Sequence, residues 1–251
     1  MLTLAGRVAL VTGGSRGIGR AVAVLFGRLG ARVAVSYVRD VEAARAVLAE
    51  LTAAAAEAVV LRADLTHPAE ADRLVTETLA RFGRLDVVVV NQGIWKRAPL
   101  LEMTEEQWQE TLAVNLTGAW AVCRAAARVM AARGSGNLIL IASTAGQRGE
   151  ACYSHYAASK GAVIAFTRSL AAELASLGIR VNGVAPGWVL TDMTRDVLEG
   201  PDAEAAVRPI PRGRAGTPEE LAGAVAFLAS DLASYMFGEI LCVNGGAVMV
   251  G

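Results

Sequence analysis

Tyr156 and Lys160 lie four residues apart in the segment 153–160. Residues spaced i and i+4 on a helix stack on one face. A phenol with a pKa near 10 exchanges its proton poorly at neutral pH. An ammonium one turn away favours the phenolate and draws that pKa toward the working range. Of the 24 basic residues only two are lysines, Lys96 and Lys160. A chain that otherwise carries its positive charge as arginine therefore keeps an ammonium beside a tyrosine. The pair suits proton transfer to or from an oxygen, although the same spacing also occurs on ordinary helix surfaces. Its weight comes from what precedes it.

Short β-branched runs alternate with longer helical stretches almost throughout. Strands are expected over 7–12, 32–37, 59–63, 85–90, 137–142, 179–184 and 239–243. Helices are expected over 17–29, about 41–55, 68–82 and 217–229. Two more are a long helix opened by the capping-box residues Thr104–Gln107, and one that carries Tyr156 to about residue 177. Residues 186–216 break the rhythm with repeated proline and glycine. Strict alternation implies a parallel sheet with helices on both faces. With no linker and no repeat, the 251 residues read as one domain.

The first strand runs into a loop with Gly13, Gly17 and Gly19, interleaved with Ser15, Arg16 and Ile18, which then opens a helix. Glycines so placed permit a tight turn and close approach to a pyrophosphate, and the helix N-terminus contributes amides and its dipole. The spacing is Gly-x-x-x-Gly-x-Gly, and no Lys-Ser or Lys-Thr follows as a P-loop would require.

That spacing, Tyr156 with Lys160, and further segments together resemble the short-chain dehydrogenase/reductase family. Asp64 and Leu65 are similar to its adenine contact, and Asn91-Gln92-Gly93 to its Asn-Ala-Gly. Asn115, Ser143, Pro186 and Gly187 fall in register, and the resemblance runs to Val243–Gly246. It implies a single-domain Rossmann fold, α/β, with a doubly wound seven-stranded parallel sheet. It also implies cofactor contacts that continue into Val189 and Thr191. The catalytic set would be Asn115, Ser143, Tyr156 and Lys160. Ser143 would bond a substrate carbonyl, Tyr156 would deliver its proton, and Lys160 would lower the tyrosine pKa and hold the ribose. Asn115 would anchor a water that relays protons to Lys160. Gln92 departs from the family's small residue. Tyr37 stands where an NAD-preferring member has an aspartate, and Arg16 and Arg39 are within reach of a 2′-phosphate. NADP(H) is therefore expected over NAD(H), with use of NAD(H) left open.

Within the family the resemblance is greatest to 3-oxoacyl-[acyl-carrier-protein] reductases. Arg133 is a basic residue suited to carrier docking, but Gly134, Ser135 and Leu177 replace arginines common there, so acyl carrier protein and a free ketone, quinone, sugar or steroid both stay open as substrates. Residues 94–97, 147–153 and 188–210 are expected to wall the substrate, with Trp95, Trp188 and Met193 as candidates, and 188–210 to form a lid. Ser154 and Ser159 read as helix surface or packing, and His155 as a bystander. A dinucleotide-sensing protein without catalysis is the rival from another class; a methyltransferase would not need the tyrosine–lysine pair.

Zero net charge without basic blocks points away from nucleic acid. No apolar run approaches the ~18–20 residues of a membrane span. Cys123, Cys152 and Cys242 are scattered and His67 and His155 isolated, so neither a metal site nor a disulfide is expected, and the setting is cytoplasmic. Alanine-rich stretches over 125–132 and 171–175 suggest helix faces that would be covered in a homotetramer.

Overall fold

The computed structural model of the protein describes residues 2–250. The strands are β1 (Val8–Val11), β2 (Arg32–Tyr37), β3 (Ala58–Arg62), β4 (Val87–Val90), β5 (Gly136–Ile141), β6 (Ile179–Pro186) and β7 (Ile240–Val243). The helices are α1 (Gly17–Arg28), α2 (Val41–Ala53), α3 (Pro68–Phe82), α4 (Glu105–Leu112), α5 (Gly118–Arg133), α6 (Ala145–Arg148), α7 (Ser154–Leu174), α8 (Arg195–Leu198), α9 (Ala203–Val207) and α10 (Pro218–Ala229). The seven strands form one sheet in the order β3-β2-β1-β4-β5-β6-β7, and every pairing is parallel.

Valine-rich strands suit this arrangement because both faces are covered. Val87–Val90 is buried at all four positions. Alternate strand residues feed two cores. Leu10, Val88, Leu138 and Leu140 pack under Leu74 of α3, Val122 of α5 and Val163 of α7. Val11, Val33, Val89 and Ile139 pack under Val22 and Phe26 of α1, Leu51 of α2 and Val225 of α10. This is the doubly wound Rossmann architecture. Its strand order reverses between β1 and β4, which opens a crevice at the carboxyl edge there.

The short helices α6, α8 and α9 were not expected, and two further elements differ from their sequence-based expectations. The run over 85–90 yields a strand only from Val87, because Asp86 turns its carboxylate to the Val8 amide and to Arg84 and Arg133. The long helix after Thr104 is interrupted by a π-helical turn, Ala113–Thr117, between α4 and α5. That inserted turn carries Asn115, and such bulges collect at functional sites.

Candidate active site

The glycine loop leaves β1 and enters α1 through backbone conformations that only glycine adopts easily. Gly13 and Gly17 have φ of 58° and 55°. A Cβ at Gly19 would sit 2.5 Å from the Asn91 Nδ2 and from the Gly13 carbonyl oxygen. Asn91, at the end of β4, clamps the loop by donating from Nδ2 to the carbonyls of Thr12 (3.1 Å) and Gly13 (3.0 Å). Helix α1 opens without a side-chain cap and without an acid in its first turn. Its leading amides and positive dipole end are thus directed at the groove. These features fit a dinucleotide's pyrophosphate.

The remaining expected cofactor residues end or follow β2, β3 and β6, at the same carboxyl edge of the sheet as the glycine loop. Tyr37 ends β2 and is half-buried, and Arg39 lies just beyond it, exposed. Asp64 accepts from the Thr66 hydroxyl (2.7 Å) and amide (3.1 Å). The Thr66 hydroxyl is the main cause holding that carboxyl below its ordinary value, and Arg39 contributes through its charge. Leu65 is buried. Arg16 and Arg39 join no ion pair among the described residues. Across the groove, Pro186 ends β6 and accepts from the Thr144 amide, and the Gly187 amide donates to Val243. Val189 is buried, and Thr191 reaches back until its Cγ2 is 3.3 Å from where a Cβ on Gly17 would lie. Gln92 turns inward, its Oε1 accepting from the Thr12 hydroxyl at 2.5 Å. Its Nε2 lies 3.4 Å from the position of a Cβ at Gly118, so the missing side chain there makes room for the larger residue.

Ser143 follows β5, and Tyr156 and Lys160 sit on α7, all brought to the carboxyl edge beside the groove. Tyr156 is buried, which pushes its phenol up to about 12; the facing Ser143 hydroxyl opposes the shift and the Glu150 charge adds to it. Lys160 is 4% exposed and burial pulls its amine down to about 8. Its Nζ donates to the Ile141 carbonyl at 2.7 Å and lies 6.0 Å from the Tyr156 ring centre. The lysine's influence on the phenol is thus set against the phenol's own burial, which raises its pKa. The two residues share a helix face, but the cation is turned to a carbonyl and burial governs the phenol.

Asn115 is buried in the π turn. Its Oδ1 accepts from the Ile94 amide at 2.8 Å, and its Nδ2 donates to the Ile94 carbonyl (3.0 Å) and to Ser159 Oγ (3.1 Å). Gly93 lies at this junction, where a Cβ would touch Asn115 Oδ1 at 3.4 Å and Lys160 Nζ at 3.5 Å, both at ordinary contact distance. Ser159, expected at the surface or in packing, is fully buried and donates to the Tyr156 carbonyl at 2.7 Å. It thereby links Asn115 to the turn that carries the tyrosine. The triad-like spacing Asn115–Ser159–Tyr156 is not sequential, so only the folded chain reveals it. His155, expected as a flank bystander, is instead buried with neither ring nitrogen hydrogen-bonded, and desolvation lowers its pKa. Ser154 is exposed.

A cleft of about 60 Å³ opens over Ser143 and Tyr156, walled by Trp95, Glu150, Trp188 and Met193 among others. Trp95 stacks on Tyr153 at 4.4 Å and meets Trp188 edge-on at 5.6 Å. Tyr153 and Glu150 were within the expected wall segment but carried no signal of their own, since neither belongs to a spaced motif.

A nucleotide crevice at the switch point beside a half-buried serine and a buried tyrosine and lysine defines a Rossmann oxidoreductase. The chain belongs to the short-chain dehydrogenase/reductase family of NAD(P)-dependent oxidoreductases. A family model described as "Enoyl-(Acyl carrier protein) reductase" matches residues 13–248. The chain is 43% identical to 3-oxoacyl-[acyl-carrier-protein] reductase of Synechocystis, over 99% of this chain and 100% of that protein. It is 40% identical to 3-oxoacyl-[acyl-carrier-protein] reductase FabG of Escherichia coli K12, over 98% of each. Among solved structures, levodione reductase superposes with a TM-score of 0.93 at 34% identity, over 96% of this chain and 97% of that one. A putative NAD(P)-dependent gluconate 5-dehydrogenase of Beutenbergia cavernae, with bound NADP, gives 0.93 at 41% identity over 98% of each.

Proposed function

We propose that this protein is an NADP(H)-dependent reductase that converts a carbonyl to a secondary alcohol. The observation that carries the reading is the Ser143 hydroxyl facing the buried Tyr156 phenol, with Lys160 one helical turn behind. When bound, the nicotinamide supplies hydride. Ser143 donates a hydrogen bond to the carbonyl oxygen and orients it. Tyr156, kept protonated by burial, delivers its proton to that oxygen. Lys160, with its amine at about 8, exchanges protons near neutrality and restores the tyrosine. Asn115 acts as a positioning residue that fixes Ile94 and, through Ser159, the Tyr156 turn.

Arg16 and Arg39 support NADP(H), because each is exposed at the groove and engaged in no ion pair. One charge-assisted bond to a 2′-phosphate is worth roughly 1.5–3 kcal/mol, or about 10- to 100-fold in affinity. A spectrophotometric comparison of kcat/KM with NADPH and NADH, using acetoacetyl thioester and a panel of free ketones, tests both points. NADPH should lead by at least about tenfold; equal or better use of NADH would remove the arginines' role.

A 3-oxoacyl group on acyl carrier protein is the substrate supported by the curated relatives' names. A free ketone is the second reading, favoured by Arg133. Its guanidinium is committed to the Leu85 carbonyl (3.0 Å) and to Asp86 (3.2 Å), so its charge is compensated rather than presented to an acidic carrier. A homotetramer follows from family resemblance, and Trp108 and Trp120, both partly exposed on α4 and α5, support it. Of the alanines that motivated it, Ala125, Ala126 and Ala171 are buried against the protein's own sheet, whereas Ala132, Ala172 and Ala175 are exposed. No helix among the described residues is long and apolar enough to cross a membrane. The three free cysteines support a reducing, cytoplasmic setting.

A further inference from the structure

The substrate cleft contains one acid, Glu150, in a lining that joins Trp95, Trp188 and Met193 to Arg148, Thr144 and Thr194. The residue is half-buried. Its Oε2 accepts a long bond, 3.3 Å, from the Trp95 indole nitrogen. No other hydrogen bond and no ion pair engages the carboxylate among the described residues, although Arg148 lines the same cleft. A carboxylate has about four acceptor positions, so most of its capacity is unused within the protein at a residue that lines the cleft. It is also near enough to Tyr156 to raise that phenol's pKa through charge. A molecule with its carbonyl oxygen against Ser143 and Tyr156 shares its cleft with Glu150.

An apolar chain there would strip water from the carboxylate and return no hydrogen bond, which is costly. A hydroxyl would replace that water with a charge-assisted bond, and the Trp95 and Trp188 rings would cover the adjoining C–H surface. We propose that Glu150 determines specificity and that the substrate is a small hydroxylated ketone, whose hydroxyl next to the carbonyl donates to the Glu150 carboxylate. This deepens the free-ketone form of the carbonyl-reductase reading, in place of a carrier-bound 3-oxoacyl group, and rests on it. Ser143 and Tyr156 keep the roles given above, and the product is the corresponding polyol, formed by one hydride and one proton.

Dihydroxyacetone and 3-pentanone have the same five-atom chain and differ only by hydroxyl in place of methyl. Their kcat/KM values with NADPH are to be compared in the wild type and in Glu150→Gln, which retains an acceptor for the Trp95 indole but loses the charge. The wild type should favour dihydroxyacetone, and the variant should lower the ratio of the two values by ~10- to 100-fold. NADPH affinity, followed by nucleotide fluorescence, reports that the variant is folded. An unchanged ratio, whether both values fall or neither does, would mean that Glu150 only props Trp95 and would overturn the proposal, as would a wild type that favours 3-pentanone. Failure of the underlying reading looks different: NADPH would bind, yet neither ketone nor an acetoacetyl thioester would be reduced, and both would fall together.

Discussion

At the reaction centre, burial sets the protonation of the two central residues. The Tyr156 phenol, pushed up to about 12, holds its proton at neutral pH, and the facing Ser143 hydroxyl opposes that rise. Lys160 is held in its charged form below about 8 at a cost, since its amine would otherwise titrate at 10.5. The folded protein carries that cost in full below pH 8, and the cost fades between about pH 8 and 10.5. Lys160→Met should therefore abolish turnover yet stabilise the fold at pH 7, by roughly 1–3 kcal/mol, with the gain lost near pH 10. Thermal unfolding at the two pH values checks this, and an equally large gain at both would show that the charge is not what is relieved. The sequence makes the tyrosine–lysine pair legible because helical spacing is local. It does not make legible that Lys160 turns to the Ile141 carbonyl, that Ser159 is buried or that Glu150 faces the cleft, since those depend on which elements meet.

Helix α6 and helix α7 are the elements whose contact aligns Ser143 with Tyr156. They meet at Gly146, where a Cβ would lie 2.5 Å from the Lys160 carbonyl carbon and 2.6 Å from the Gly161 nitrogen. Backbone cannot yield as a flexible side chain can, so Gly146→Ala must push the serine loop off the tyrosine helix. Misplacement by about an ångström costs on the order of 100-fold in rate. We expect that loss in kcat, with NADPH affinity within a few-fold of the wild type because the glycine loop is untouched; steady-state kinetics beside nucleotide titration will show it, and an unimpaired kcat would mean the α6–α7 spacing is not critical. Element order and type were readable from the alternation of valine-rich runs and helical stretches. The π turn at Asn115 was not: its sequence is ordinary helix, and the extra residue is held there by the bonds from Asn115 to Ile94, a partner 21 residues away.

For the whole molecule, the parallel order brings the ends of β1, β4, β5 and β6 to one edge, so residues from 13 to 191 border one crevice. That convergence follows from the parallel topology and was legible once seven alternating strands were recognised. The outer surface was less so, because a helix pattern shows that one face is buried but not what covers the other. Trp108 and Trp120 with exposed Leu100 and Leu101 leave apolar surface that a tetramer would cover. Light scattering at micromolar concentration should give a tetramer mass, and a monomer would refute the assembly.

The central claim is that Tyr156 donates the proton in an NADPH-dependent carbonyl reduction, and the rate of NADPH oxidation by Tyr156→Phe tests it most directly. With nucleotide affinity unchanged, the variant should lose ~10²- to 10⁴-fold in turnover of the best carbonyl substrate. Retention of more than about a tenth of the wild-type rate would contradict the account, because general acid catalysis of that size leaves no room for so small an effect.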